Sequence, residues 1–533
     1  MNSNRIGRRE FLGTLGVGLA SMLLPVRFLQ AAKTPKRPNV IVVLVDDMGY
    51  SDLGCFGGEI NTPNIDGLAA KGVAFTQFYN TGKCAPTRAC LLTGLYPQQA
   101  GKGIRTGITM GQAMQAAGYA TMAVGKWHLG GTPEKRGFDR AFGHISGSTH
   151  YFRGNDTFHL DGEPFEIPEK DFYVTDANTD YAIRFIDEEH KKDASKPFFM
   201  YLAYNAPHYP LHALPEDIAR YRGKFKKGWD RLRRLRFVRQ LELGIVKNQW
   251  ALSPRPDYVP AWASLSAKEQ DFEDLRMAVY AAMLDRVDQG IGRLMARLRQ
   301  LGVADDTLVL FVSDNGGCPF DRRRVGTPGK PDSYWEYGPA WATLSNTPFR
   351  LYKRNQHEGG IATPMIAHWP AGIAKGGRLS DAPGHLIDIM PTVLELAGGK
   401  YPAEHDGKIL PSLPGRSLVP IFEGKPAQPR DAIFLHYSSH RALITGRWKL
   451  VSAFNRPWEL YRLDLDRTEL NDLASELPDK VAELDAEYRR WWRDVGQKPF
   501  TLKAGQAGVP PYRGVFEEKK TKEKAGRTKK QKR

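Results

Sequence analysis

Cysteine is scarce in this sequence. Four occur in 533 residues, none at Cys-x-x-Cys or zinc-ligand spacing, which excludes a disulfide scaffold and a structural zinc site. Glycine (53) and proline (36) follow no Gly-X-Y period, so a collagen-like rod is excluded. No apolar run reaches the ~20 residues that a spanning helix needs, so no stable membrane insertion is expected. What is present is ordinary for a folded protein: 41% hydrophobic, 11% aromatic and 25% charged residues. The length exceeds the size at which single cores stop growing, which points to a large domain plus a smaller one.

The formal charge of +17 sits mostly at the ends. Seven Lys/Arg with one Glu in residues 1–38, and nine Lys/Arg with one Glu in residues 519–533, carry 14 of the 17 charges and leave about +3 for the body. Residues 506–533 read as a basic, disordered and solvated tail. Met1–Ala32 has a basic start, an apolar stretch from Phe11 to Leu24, and Gln30-Ala31-Ala32 near a cleavage point, which reads as an export signal. Arg8-Arg9-Glu10-Phe11-Leu12 resembles the twin-arginine type, with Gly7 and Gly13 in place of the usual Ser and Lys. A Sec signal and an uncleaved anchor are the alternatives. Export machinery is the implied partner, and the periplasm or the extracellular space the expected location.

A second basic cluster, ten Lys/Arg against one Asp, runs from Arg220 to Arg239. Trp229, Leu232, Leu235 and Phe237 or Val238 recur at helical spacing, so it reads as an amphipathic helix with a solvated basic face. A positively lined approach for an anionic substrate is the alternative. Without a zinc finger or RNP-like run, nucleic acid is not an expected partner.

Four short apolar runs end abruptly in polar chemistry. Asn39–Val45 runs into Asp46-Asp47, and Tyr119–Val124 into Gly125-Lys126-Trp127-His128. Phe198–Tyr204 runs into Asn205-Ala206-Pro207-His208, and Thr307–Ser313 into Asp314-Asn315-Gly316-Gly317. Runs without alternation suit strands buried on both faces, as in a parallel sheet. Helical stretches lie between them. The clearest is Ala267–Leu301, with Val279, Met283, Val287, Ile291 and Leu298 on one stripe, a Ser266/Glu269 capping box before it and Gly302 after it. This alternation predicts an open α/β fold whose site lies beyond the carboxyl ends of the strands, so the four polar clusters should converge in one crevice.

Asp46, Asp47, Asp314 and Asn315 supply three carboxylates and an amide oxygen. Carboxylates crowd together only around a cation, and an all-oxygen set selects a hard one, Ca²⁺ or Mg²⁺. Singly, Asp-Asp or Asp-Asn-Gly reads as a turn or cap; both at strand ends in one chain favour a metal. Cys84-Ala85-Pro86-Thr87-Arg88-Ala89-Cys90-Leu91-Leu92-Thr93-Gly94 puts Cys84 at a helix start, where free N–H groups favour anions. On the residues alone Cys84 is a candidate thiolate nucleophile or a buried small hydrophobe. Cys55, Cys90 and Cys318 read as packing residues. Lys126, His128, His208 and Lys353 complete a set able to hold a tetrahedral oxyanion and move protons. Lys353 precedes His357-Glu358-Gly359-Gly360, whose glycines permit close backbone approach.

These residues resemble the type I sulfatases of the alkaline-phosphatase superfamily. Cys-x-Pro-x-Arg followed by Ala-x-Leu-Leu-Thr-Gly matches the sulfatase signature, Gly125–Gly130 is similar to the second one, and the likeness runs from Pro38 to about Gly496. The resemblance implies an α/β fold with a large mixed, mainly parallel sheet sandwiched by helices (residues 33–424). A small C-terminal domain of antiparallel sheet plus helix (425–505) would follow. It implies arylsulfatase-like hydrolysis of a sulfuric ester, with a sulfated saccharide among the substrates open to it.

The resemblance also implies that a maturation enzyme converts Cys84 to formylglycine (3-oxoalanine), whose hydrate attacks sulfur. One Ca²⁺ per chain, ahead of Mg²⁺, would be held by Asp46, Asp47, Asp314, Asn315 and the modified Cys84. Arg88 would stabilise the hydrate, and Lys126 and Lys353 would neutralise the sulfuryl oxygens. His208, with Lys353, would protonate the leaving oxygen, and His128 would deprotonate the remaining hydroxyl. His436-Tyr437-Ser438-Ser439-His440 departs from relatives that often carry acidic or Asn residues before Arg441-Ala442, so leaving-group preference is not inherited from them. A phosphate or phosphonate monoester hydrolase on the same fold, and a non-catalytic binder of sulfated glycans, are the competing readings. The Cys-Pro-Arg motif with the Lys/His set favours sulfate.

Overall fold

A computed structural model describes residues 37–502, except Lys102 and Gln428. The export-signal and basic-tail readings, over 1–32 and 506–533, lie outside the described residues. In chain order the strands are β1 Asn39–Val45, β2 Val73–Tyr79, β3 Ala120–Lys126, β4 Arg140–His144, β5 Phe158–Leu160, β6 Glu163–Pro164, β7 Phe198–Ala203 and β8 Thr307–Ser313. There follow β9 Arg324–Val325, β10 Tyr334–Trp335, β11 Ala362–His368, β12 Arg378–Ser380, β13 Gly384–His385, β14 Glu404–His405 and β15 Lys408–Ile409. The last four are β16 Ile433–Tyr437, β17 His440–Thr445, β18 Trp448–Ser452 and β19 Glu459–Arg462.

Eleven strands form one sheet in the order β12-β2-β11-β8-β1-β7-β3-β4-β5-β6, with β13 also on β2. β1 pairs in parallel with β7 and β8, β7 with β3, and β3 with β4. β11 runs antiparallel to both β8 and β2. Two reversals cancel, so β2 points with the central strands. The carboxyl ends of β1, β2, β3, β7 and β8 therefore share one edge with the amino end of β11.

The unbroken apolar runs are explained by layers on both faces. Ile41, Val43 and Val45 enter one core and Val40, Val42 and Leu44 the other, all fully buried. Each such side chain contributes about 1.5–3 kcal/mol relative to an exposed one. Helix Ala267–Gln300 packs on the first face through Val279, Met283, Val287, Ile291 and Leu298. Its capping box is formed: Glu269 N donates to Ser266 Oγ (3.3 Å), and Ser266 N to Glu269 Oε2 (2.8 Å). Helices Cys84–Thr93, Met110–Ala116 and Ile389–Ala397 line the second core. Among the described residues, no helix is long and apolar enough to cross a membrane.

The segment Arg220–Arg239 corrects one expectation. Its helix, Trp229–Glu242, buries Trp229, Leu232, Arg233, Arg236 and Gln240, while Leu235 and Val238 are 37% and 49% exposed. Pairing is the reason. Arg236 forks onto Glu59 (2.8 and 2.9 Å) and reaches Asp52 (2.8 Å), so a guanidinium can sit where an apolar stripe was expected.

Strands β16 to β19 make a separate antiparallel sheet, and helix Pro478–Asp494 covers it with Leu484, Tyr488, Trp491 and Trp492. A fully buried ionic network joins this sheet to the turn before β11. Lys449 Nζ lies 2.8 Å from both Glu358 Oε1 and Glu469 Oε1, and Arg467 Nε lies 2.8 Å from Glu358 Oε2.

Candidate active site

Backbone hydrogen bonds close the sheet edge. Asp46 N donates to Ala206 O (3.1 Å), Asp314 N to Val45 O (3.0 Å), Lys353 N to Gly317 O (3.2 Å) and Arg354 N to Gly82 O (2.7 Å). A Cβ on Gly359 would lie 2.3 Å from Leu351 O, and one on Gly360 2.2 Å from Asn355 O, so only glycine lets this turn fold over the Lys353 loop. Asp47 (φ 67), His128 (φ 53), Leu351 (φ 64) and Arg354 (φ 83) hold left-handed backbone, a strain that concentrates at functional sites.

The side chains then converge as the strand ends predict. Arg88 Nη2 donates to Asp46 Oδ2 (3.3 Å) and Asp314 Oδ2 (3.2 Å), and Nη1 to Lys126 O (2.8 Å) and the Tyr201 hydroxyl (3.2 Å). Lys126 Nζ bonds Asp46 Oδ2, and Lys353 Nζ bonds Asp47 Oδ1. Asn315 Nδ2 donates to Asp47 Oδ1 (2.7 Å), and Asp47 N to Asp314 Oδ1 (3.2 Å). His208 Nδ1 donates to Tyr209 O (2.7 Å), which turns Nε2 toward Asp47 Oδ2 at 3.6 Å. Cys84 is the first residue of helix Cys84–Thr93 and is buried. His128 has a buried Nδ1 without a partner among the described residues, and its Nε2 packs where a Cβ on Gly147 would be only 2.6 Å away. With Ala85, Pro86, Ala89, Pro97 and Leu129 it lines a largely apolar cavity of roughly 660 Å³.

Charge organises this cluster. Burial works to raise Asp46, but Lys126, His208 and Arg88 outweigh it and hold it well below the usual carboxylate range. Burial likewise works to raise Asp47, but Lys353, which also bonds it, and His208 outweigh it and lower the carboxyl. Asp314 goes the other way, raised by burial and then by Asp46. At Cys84 burial would raise the thiol, yet Lys126, Lys353 and Lys83 bring it below its ordinary value. Burial pushes His208 down to about 3 and His128 down to about 2, the second helped by Lys126 and Arg88.

The donor set fits a hard cation. Among the described residues, Asp46 Oδ1, Asp47 Oδ2 and Asn315 Oδ1 are buried without a hydrogen-bond partner, and donor atoms of Asp46, Asp47 and His208 lie within 4.8 Å of one another. Buried oxygens are normally satisfied, and those of Asp46, Asp47 and Asn315 suit Ca²⁺ or Mg²⁺.

The sequence reading missed Tyr201, Lys83 and Tyr209. A tyrosine inside a strand buried on both faces was the one available signal, since its hydroxyl needs a partner. In the His436–His440 segment, His436 stacks on Trp492 (ring centroids 4.1 Å apart) and bonds the Tyr488 hydroxyl (3.0 Å), a packing role. His440 is buried against Phe454, with ring centroids 4.3 Å apart.

The profile of the sulfatase family matches residues 38–399, and that of the N-sulphoglucosamine sulphohydrolase C-terminal region matches 349–490. The chain belongs to the sulfatase family. It is 33% identical to an uncharacterized sulfatase of Schizosaccharomyces pombe over 84% of this chain and 92% of that one. It is 36% identical to an arylsulfatase of Klebsiella aerogenes over 69% of this chain and 88% of that one. The crystal structure of Ps i-CgsB in complex with k-i-k-neocarrahexaose superposes with a TM-score of 0.65 at 26% identity, covering 88% of this chain and 95% of that one. This sulfatase is an enzyme that hydrolyses sulfate esters.

Proposed function

We propose that this sulfatase draws its nucleophile from Cys84, oxidised to formylglycine by a maturation enzyme. One Ca²⁺ would sit between Asp46, Asp47, Asp314, Asn315 and an oxygen of the modified residue. The observation that carries this reading is the set of unpartnered buried oxygens on Asp46, Asp47 and Asn315, in a cluster whose Lys126 and Lys353 also face Cys84 at its helix start. Such oxygens cost several kcal/mol unless a cation or donor meets them.

When present, the modified residue would supply a geminal hydroxyl for attack at sulfur, and a bound cation would polarise the sulfuryl group. Lys126 and Lys353 carry ammonium charge to the sulfuryl oxygens, where negative charge grows. Arg88, fixed by Asp46, Asp314 and Tyr201, holds residue 84 against the same field. His208 keeps its Nδ1 proton on Tyr209 O, so Nε2, which faces Asp47 Oδ2, is the atom that must take up a second proton before it can give one to the leaving oxygen. His128 receives a proton from the residual hydroxyl, the role suited to an imidazole that burial keeps neutral.

The natural substrate we assign is a sulfated saccharide, supported by the saccharide held by a structural relative. The twin-arginine-like Met1–Ala32 supports action outside the cytoplasm after export, with residues 33–424 as catalytic domain and 425–505 as its small companion. Turnover of an aryl sulfate and an aryl phosphate, before and after chelation and Ca²⁺ return, tests the reading. Sulfate turnover should vanish on chelation and recover with Ca²⁺. Phosphate turnover alone, or activity surviving complete Ca²⁺ removal, would contradict it.

A further inference from the structure

A second, polar cavity of roughly 330 Å³ opens beside His208 and has no part in the scheme above. Ser148, Tyr209, Arg322, Arg323, Tyr334 and Glu336 line it. Tyr209 connects it to the chemistry. Its ring centroid lies 4.0 Å from that of His208 at an interplanar angle of 31°. With Glu336, it also walls a small cavity that reaches Asp47. Tyr209 is thus the residue that links this cavity to His208.

The two arginines differ. Arg322 is committed to the protein: Nη2 donates to Glu336 Oε1 (2.7 Å) and the Tyr209 hydroxyl (2.9 Å), and the guanidinium lies 4.1 Å over Phe320. Glu336, buried, balances its charge. Arg323 makes no ion pair among the described residues. It is exposed, and its guanidinium lies 4.9 Å from the Tyr334 ring centroid. Tyr334 is itself placed by the β9–β10 pairing, opposite Val325. One uncompensated cation thus stands on an aromatic platform, next to an aromatic ring that stacks on His208.

A guanidinium held in this way is matched to an oxyanion, which it can grip with two N–H groups. Tyr334 beside it offers apolar ring surface with a polar rim, as a sugar ring requires. We propose that this cavity is an accessory subsite for the unit adjoining the scissile ester in an anionic oligosaccharide, with Arg323 pairing a sulfate or carboxylate and Tyr334 packing on the sugar. The inference rests on the reading that His208 faces the leaving oxygen.

The full-length enzyme and its Arg323→Ala and Arg323→Lys variants would be assayed on four compounds. These are an aryl sulfate, a monosulfated disaccharide with a neutral neighbouring ring, and disaccharides whose neighbouring ring carries a second sulfate or a uronate carboxylate. For the anionic disaccharides, Arg323→Ala should raise KM about tenfold with kcat nearly unchanged, the scale of one charge-assisted contact. Added salt should shrink that difference, Arg323→Lys should restore part of it, and the other two compounds should not respond. Whichever anion suffers identifies the source. Disaccharides that are not cleaved are scored as competitive inhibitors of aryl sulfate turnover, so the subsite is read even where the scissile bond is misplaced. Equal KM changes on all four compounds, or none on either anionic one, would overturn the subsite. A His208→Ala variant losing the same factor on every ester would instead unseat the reading beneath it.

Discussion

Replacing His208 with alanine should separate substrates by their leaving group. The imidazole is pinned: Nδ1 donates to Tyr209 O at 2.7 Å, the ring centroid lies 4.0 Å from that of Tyr209, and the residue is 4% exposed. A proton donor held this firmly sits at the effective end of the ~10²–10⁴-fold range of general acid catalysis, about 3–5 kcal/mol of barrier. An alkyl sulfate, whose oxygen leaves only when protonated, should lose about 10³-fold in kcat/KM. An activated aryl sulfate, whose oxygen leaves as the anion, should lose less than about tenfold. Steady-state kcat/KM on both esters measures the split, and His208→Gln, which keeps polarity and bulk but carries no transferable proton, should behave like alanine. Equal losses on the two esters, or rescue of the alkyl ester by glutamine, would refute the acid role and leave His208 a positioning residue.

Two stability predictions concern buried charge. Arg236→Met leaves Asp52 and Glu59 without their shared guanidinium and should cost about 3–5 kcal/mol in denaturant unfolding; an unchanged midpoint would mean the bridge is dispensable. Glu459 accepts from Tyr461 (2.6 Å) and lies 3.0 Å from His357 Nε2. Burial works to raise its carboxyl, but His357, Arg350 and Tyr461 outweigh that and take it from 4.5 down to about 2. A depressed carboxylate stabilises above its unfolded value and loses that effect as pH falls. The gap between wild type and Glu459→Gln should therefore be steady, at most ~3 kcal/mol, above pH 4.5 and narrow toward pH 2. A gap independent of pH would show that the carboxylate charge is not the cause.

Much of the site was legible because its residues sit where local pattern changes. β1 and β8 have the bounds of their apolar runs, and Asp46, Asp47, Asp314 and Asn315 follow them directly. Parallel strands share a direction, so residues after each run had to meet at one edge. What pattern cannot carry is pairing across distance. The strand order, with β11 inserted antiparallel between β8 and β2, leaves no mark in either strand's composition. Arg236 looked like solvated charge because its partners Asp52 and Glu59 are 184 and 177 residues away. Arg323 and Tyr334 are both ordinary loop residues until the β9–β10 hairpin puts them side by side.

The nucleophile can be read from one peptide. Mass spectrometry of the tryptic fragment Cys84–Arg88, from enzyme whose aryl sulfate turnover has been measured, should show residue 84 as an aldehyde that has lost its sulfur, in proportion to activity. A free thiol at Cys84 in fully active enzyme would contradict the mechanism.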